Sequence, residues 1–265
     1  MSNLKVIILA AGMGSRLRPL TNDKPKCMIK LLDETLIQRQ VKIFHSCNIN
    51  DITIVTGYKS EVIDIPHVNY VKNENYEITN TNESLFCALE PSSEPVLVTY
   101  SDVVFEEKFV RQMLEITDGI RLAVNLNWKK YYQNRTMHPL SEAENVLVEN
   151  GRILQIRKNI SKSLQNQQIG EFLGIMMLSS DHVKILLERY SYLKNNHIGT
   201  FHNSSSLSNA YITDMLQEII NCGINVNPVF TEGKWCEIDT PEDLRNAEKS
   251  LRTYTGPAKN EREKI

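Results

Sequence analysis

Residues 5–26 read KVIILAAGMGSRLRPLTNDKPK, and this stretch decides the fold. Lys5–Leu9 is a short run of apolar, β-branched residues, the pattern of a strand buried on both faces. It delivers the chain to Gly12-Met13-Gly14-Ser15-Arg16, where the glycines let the backbone turn tightly and bring its N–H groups close to an anion. Leu9, Ala10, Ala11, Gly12, Gly14 and Ser15 are therefore candidate nucleotide-binding positions. Arg16 offers a planar fork to phosphate oxygens, and Lys26 offers a point charge beyond a proline-stiffened turn. Two rival loops are disfavoured. A dinucleotide-binding fingerprint needs a third glycine where Leu17 stands, and an acid closing the second strand where Thr56 stands. A Walker A loop needs a Gly-Lys-Ser/Thr tandem, which is absent. A plain surface turn with solvated charges would suffice for a lone Gly-x-Gly, but not for Arg, Pro and Pro-Lys at these offsets.

Similar apolar runs recur at Ile52–Thr56, Val68–Val71, Val96–Tyr100, Arg121–Leu126, Phe172–Leu178 and Val226–Phe230. Helix-like segments fall between them at Leu36–Cys47, Ser84–Glu90, Lys108–Ile116, Asp181–Lys194 and Ser208–Cys222. In the first of these Ile37, Val41 and Phe44 share one face. The alternation predicts an α/β fold, a mostly parallel sheet flanked by helices. Asn150-Gly151 predicts a hairpin and hence an antiparallel excursion. Thr240-Pro241-Glu242-Asp243 predicts a helix start, with Thr240 as cap and acids near the positive end. We expect one domain over residues 1–252 and a frayed, disordered tail over 253–265.

Composition narrows the function. The 265 residues carry a net charge of −2, so no nucleic-acid footprint is expected and any anion site must be built locally. No apolar run approaches a membrane span, and the start of the chain leads into a glycine loop rather than a cleavage site, which predicts a cytoplasmic protein. The five cysteines are scattered without paired spacing, against a disulfide framework or zinc site. Nothing decides between a monomer and a homo-oligomer.

Two acids stand out as metal candidates. Val96–Tyr100 ends in Ser101-Asp102, which places a carboxylate at the C-terminal edge of the sheet, where ligands bind in open α/β folds. Asp239 precedes the last helix. One aspartate from each place suits a hard Mg²⁺, completed by substrate phosphates and water. Taken alone, Asp102 could equally be a turn cap and Asp239 a residue just outside a helix cap.

The loop closely resembles the G-x-G-[ST]-R-x-x-P-x-[ST]-x-x-x-P-K signature of nucleotidyltransferases that activate sugar phosphates and phosphocholine. Gly12, Gly14, Ser15, Arg16, Pro19, Thr21, Pro25 and Lys26 match it. The resemblance implies a Rossmann-like, nucleotide-diphospho-sugar transferase-like fold with a mixed sheet. It implies a loop that wraps a triphosphate, an arginine on the leaving phosphates and a lysine on the phosphorus under attack. Trp235–Asp243, WCEIDTPED, resembles the family's second metal stretch, so the likeness assigns Asp102 and Asp239 to Mg²⁺. The nucleophile would be a phosphate or phosphonate oxygen, already anionic near neutral pH, so no general base is required. Arg16 and Lys26 would neutralise the accumulating charge. The six histidines show no obvious ligand spacing, and most of them read as surface or satisfied core residues.

Thr79–Phe86, TNTNESLF, replaces the Gln-Gly-Thr-Ala stretch of sugar-phosphate members and is similar to the segment of phosphocholine and phosphonate cytidylyltransferases. Thr81, Asn82 and Ser84 are thus candidates for reading the nucleotide, although a plain capping loop would look the same. The middle of the chain (Trp128, Tyr132, Arg135, His138-Pro139, Glu142, Glu144, Ile156–Lys158 and Gly170–Gly174) resembles domains that travel with phosphonate and phosphocholine biosynthesis. Arg135 and Lys158 could clamp an acceptor phosphonate, and Glu171 or Asp214 could face a cationic amine. Asp214 could instead cap or brace a loop, and Trp128 could be core. The resemblance implies a Mg²⁺-dependent enzyme that uses CTP and a small phosphorylated or phosphonylated acceptor. A sugar-1-phosphate enzyme using UTP or dTTP and an inactive nucleotide-binding module are the alternatives.

Overall fold

The computed structural model of the protein describes residues 4–133, 135–160, 164–231 and 233–255. Its strands, in chain order, are β1 (Lys5–Leu9), β2 (Lys30–Leu31), β3 (Glu34–Thr35), β4 (Asp51–Thr56), β5 (Asn69–Lys72), β6 (Val96–Tyr100) and β7 (Val103–Phe105). They continue as β8 (Ile120–Asn125), β9 (Glu144–Glu149), β10 (Arg152–Lys158), β11 (Gln167–Leu178), β12 (Val226–Phe230) and β13 (Trp235–Glu237). The helices are α1 (Leu36–Ser46), α2 (Thr81–Ala88), α3 (Glu107–Leu114), α4 (Ser180–Asn196), α5 (Ile212–Asn221) and α6 (Pro241–Thr255).

β1 is central because it is apolar on both faces. Its alternating side chains serve two cores: Val6 and Ile8 pack with α1 and α3, whereas Ile7 and Leu9 pack with α2, α4 and α5. Parallel pairing joins β1 to β4 on one side and β6 on the other, and β5 extends the sheet beyond β4. β11 then runs antiparallel to β6, β8 and β9, and the Asn150-Gly151 hairpin adds β10. β12 closes the sheet parallel to β8. Seven of the nine strands point one way, with β10 and β11 reversed, so the sheet is mixed and mostly parallel, as the sequence predicts. Helices cover both faces.

α1 begins where Thr35 caps it, with Gln38 returning the bond to the Thr35 backbone, and buries Ile37, Val41 and Phe44 on the expected face. Several boundaries move, and two of them matter most here. α5 starts at Ile212 rather than Ser208, because the Asp214 carboxylate folds back to accept the Tyr211 N–H at 3.0 Å and fixes the helix start there. α6 runs through Thr255, so the domain boundary expected at residue 252 falls inside a helix; residues 256–265 lie outside the described residues. Among the described residues no helix is long and apolar enough to cross a membrane.

A third cluster matters most for function. Leu17, Ile29, Leu31, Leu36, Ile238 and Ala247 pack together beneath the glycine loop. They tie the first loop of the chain to the segment before its last helix.

Candidate active site

Leu17 is fully buried in that cluster beside Ile238. Their chain neighbours Arg16 and Asp239 are thereby set face to face, and Arg16 Nη2 donates to Asp239 Oδ2 at 2.7 Å. Leu17, the residue that disqualifies a dinucleotide fingerprint, is the loop's anchor. Gly14 sits at φ 61°, and a Cβ there would lie 2.8 Å from Lys26 Cβ, so the loop can close over Lys26 only with glycine. Thr21 Oγ1 donates to the Gly14 carbonyl at 2.9 Å and holds the return of the loop.

Asp102 and Asp239 meet through a feature the sequence did not disclose. β7 and β13 form a two-stranded antiparallel ribbon with Val103 opposite Glu237. The Ile238 N–H extends the ribbon by donating to the Asp102 carbonyl at 3.0 Å. Each ribbon strand has three residues, too short to show an alternation. It brings carboxylates 137 positions apart to one end of the sheet, where the Lys26 ammonium donates to both. Burial works against the charge on Lys26, but Asp102, Asp239 and Glu237 outweigh it and hold the ammonium above the usual lysine range. Asp239 shows the complement: burial pushes it up, yet Lys26, His138 and Arg16 together hold it well below ordinary carboxylates. Glu237, half-buried beside Asp239 and Asp102, goes the other way, well above, through its desolvation and then those two charges.

The surrounding cleft has a volume of about 500 Å³. Of the expected nucleotide positions, Leu9, Ala11, Gly12, Gly14, Ser15, Arg16, Lys26, Thr81 and Ser84 line it, as do Asp102 and Asp239. Ala10 packs into the core beneath. Asn82 is fully buried, away from the cleft, and its side-chain amide has no hydrogen-bond partner among the described residues. Asn80 caps α2 instead, accepting the Thr81 N–H at 2.9 Å, so Thr81 and Ser84 are presented from a helix N-terminus.

The four acceptor candidates separate. Lys158 lines the cleft, paired with Glu142 at 2.8 Å. Arg135 does not. It lies behind β13 beside a separate cavity of about 650 Å³, donates to Asp243 Oδ1 at 2.8 Å and packs over the Tyr132 ring. Glu171 is buried under Tyr132, whose hydroxyl it accepts, and burial pushes its carboxyl up to about 7. Asp214 is buried too, accepting the Asn203 N–H at 3.1 Å and the Ser204 hydroxyl at 2.7 Å; it braces the loop before α5. The expectation that these three face an acceptor is corrected: each is committed to a partner in the protein interior. Trp128 is core, buried with its indole N–H on the Ile169 carbonyl.

Glu142, Glu144, Tyr100 and Tyr211 line the cleft. His138, to which the sequence assigned no role, is buried in the cleft wall, with Nδ1 3.1 Å from Asp239 Oδ2 and Nε2 3.8 Å from Glu237 Oε2. Only the His138-Pro139 pair flagged it in the sequence, without a role. Ligand atoms of His138, Glu237 and Asp239 lie within 4.8 Å of one another. Asp102 Oδ1 is buried without a hydrogen-bond partner among the described residues. Converging carboxylate oxygens, one of them orphaned, are a donor set that suits a hard divalent cation.

Comparison with known proteins bears on the family and the fold. The chain is 29% identical over 254 residues to the CTP:phosphoglutamine cytidylyltransferase of Campylobacter jejuni, covering 91% of this chain and 98% of that one. It is 32% identical over 118 residues to the choline-phosphate cytidylyltransferase of Streptococcus pneumoniae, covering 43% of this chain and 52% of that one. The solved CTP:phosphocholine cytidylyltransferase of Streptococcus pneumoniae superposes with a TM-score of 0.73 at 24% identity, over 94% of this chain and 99% of that one, which speaks to the fold. The description "MobA-like NTP transferase domain" matches residues 6–161. The chain belongs to that nucleotidyltransferase family.

Proposed function

We propose that the chain is a cytidylyltransferase that joins CMP from CTP to a small phosphomonoester or phosphonate and releases pyrophosphate. The observation that carries it is Lys26, half-buried at the foot of a glycine loop and held between Asp102 and Asp239. An acceptor oxygen attacks the α-phosphorus; a new P–O bond forms as the bond to the β-phosphate oxygen breaks and pyrophosphate leaves. Both reactants are anions, so the barrier is charge and approach rather than proton removal. The backbone N–H groups from Gly12 to Ser15 cradle the triphosphate. Arg16 reaches the departing phosphates, and Lys26 turns from its carboxylates toward the phosphorus under attack. Thr81 and Ser84 line the nucleotide's side of the cleft. Asp102 and Asp239, with Glu237 beside them, would hold Mg²⁺, which supplies further neutralisation of phosphate charge. Support for CTP comes from the Campylobacter relative, which matches over almost its whole length.

The test is pyrophosphate release with ATP, CTP, GTP, UTP and dTTP, each against phosphocholine, 2-aminoethylphosphonate, 2-hydroxyethylphosphonate and glucose-1-phosphate. Turnover with CTP and a phosphomonoester or phosphonate is expected. Turnover confined to UTP or dTTP with glucose-1-phosphate would replace the proposal with a sugar-phosphate enzyme.

A further inference from the structure

Five acids line the cleft, and four are engaged by a cation or a histidine. Asp102 and Asp239 hold Lys26, Asp239 also holds Arg16, Glu142 holds Lys158, and Glu237 lies 3.8 Å from His138. Glu144 differs. Its half-buried carboxylate forms no ion pair among the described residues, and its hydrogen bond from the Tyr100 hydroxyl is long, at 3.4 Å. The one ammonium that acts on it, Lys158, is hydrogen-bonded to Glu142 instead, so Glu144 faces the cleft with room for a cation of its own.

We propose that Glu144 reads a cationic amine on the acceptor, with the Tyr211 ring as a second wall and Lys158 taking the phosphate or phosphonate of the same molecule. Tyr100 stands two residues before Asp102, so an ammonium on Glu144 lies within a short molecule's reach of the carboxylates around Lys26. Tyr211 is 41% exposed, and the Lys158 ammonium lies 5.7 Å from its ring centroid, so that aromatic face accepts a cation. Asp214, which fixes the backbone of Tyr211, positions that ring instead of touching the acceptor. Lys158 keeps a 41% exposed side chain on Glu142 and can exchange that partner for an acceptor oxygen. Burial pushes the Glu144 carboxyl up to about 7, and an arriving ammonium would favour its ionised form. A neutral acceptor would leave this acid unpaired, which is the arrangement that discriminates strongly. The acceptor class is thus a phosphorylated or phosphonylated amine.

This rests on the transferase reading, and the experiment separates the two. Calorimetric binding of phosphocholine, phosphoethanolamine and glycerol phosphate to the full chain is compared for wild type, Glu144→Gln and Tyr211→Leu. Pyrophosphate release from CTP is followed in parallel. Wild type should prefer the cationic phosphoesters, and Glu144→Gln should reduce that preference about 10- to 100-fold, through KM rather than kcat. Tyr211→Leu should reduce it by a smaller factor, chiefly for phosphocholine. A wild type without preference, or a preference unchanged within twofold in both variants, overturns the proposal. A Glu144-dependent preference in binding with no pyrophosphate released would overturn the transferase reading and leave the cation site standing.

Discussion

Asp243 is the residue on which the position of Asp239 depends, and Asp243→Asn tests this. Oδ2 of Asp243 accepts three donors: the Asp239 N–H at 3.1 Å, the Thr240 N–H at 2.9 Å and the Thr240 hydroxyl at 2.9 Å. Oδ1 accepts Arg135 Nε at 2.8 Å, and the two side chains of this ion pair are only 3% and 7% exposed. Asparagine offers one oxygen and one NH₂, so either Arg135 or the Asp239–Thr240 turn must face a donor. Leaving the buried guanidinium uncompensated costs about 3–5 kcal/mol. At about 2–4 °C per kcal/mol for a domain of this size, the midpoint should fall by roughly 6–20 °C. Arg135→Met removes the charge while Asp243 keeps its three other donors, so it should cost roughly 1–3 kcal/mol. The double variant should cost less than the sum of the two. Thermal and urea unfolding give these values, and the Mg²⁺ dependence of turnover reports on Asp239 separately, rising in Asp243→Asn. An Asp243→Asn protein within about 1 kcal/mol of wild type, or Arg135→Met costing more than Asp243→Asn, would refute the arrangement.

Three further outcomes are expected. Lys26→Ala should lower kcat on the order of a hundredfold or more while the KM for CTP changes little; the reverse split would remove Lys26 from the reacting phosphorus. Asp102→Asn and Asp239→Asn should each raise the Mg²⁺ requirement and lower the rate, and EDTA should abolish wild-type turnover; ordinary magnesium dependence in both variants would take them out of the site. Glu171 is raised from 4.5 to about 7 in the fold by burial, so its contribution to stability is full below pH 4.5 and is lost as pH rises through 7. That loss is about 3 kcal/mol, so Glu171→Gln should gain stability relative to wild type between pH 5 and pH 8; parallel stability curves would show that Glu171 ionises freely.

The centre of the sheet was legible because β1, β4 and β6 are apolar on both faces, and α1 because Ile37, Val41 and Phe44 keep the 3.6-residue period. The loop was legible because Gly14, Arg16 and Lys26 act within one short segment. The other half of the site was not, because it is assembled by contacts far apart in sequence. Nothing in the order of residues says that Val103 faces Glu237, or that His138 reaches Asp239. Arg135, Glu171 and Asp214 misled for one shared reason: a charged residue in an informative stretch looks alike whether it faces a ligand or is buried against a partner. Each partner, respectively Asp243, Tyr132 and Ser204, is identified only by the fold. Glu144 lay in a stretch singled out in the sequence, but an acid without an ion pair among the described residues is recognised only when its neighbours are seen to be paired.

The central claim is transfer of the nucleotidyl group by attack at the α-phosphorus, and isotope fate tests it most directly. CTP labelled with ³²P at either the α- or the γ-position is turned over with a phosphorylated amine. The account predicts the α-label in the acceptor product and the γ-label in pyrophosphate. A γ-label on the acceptor or in orthophosphate would contradict it.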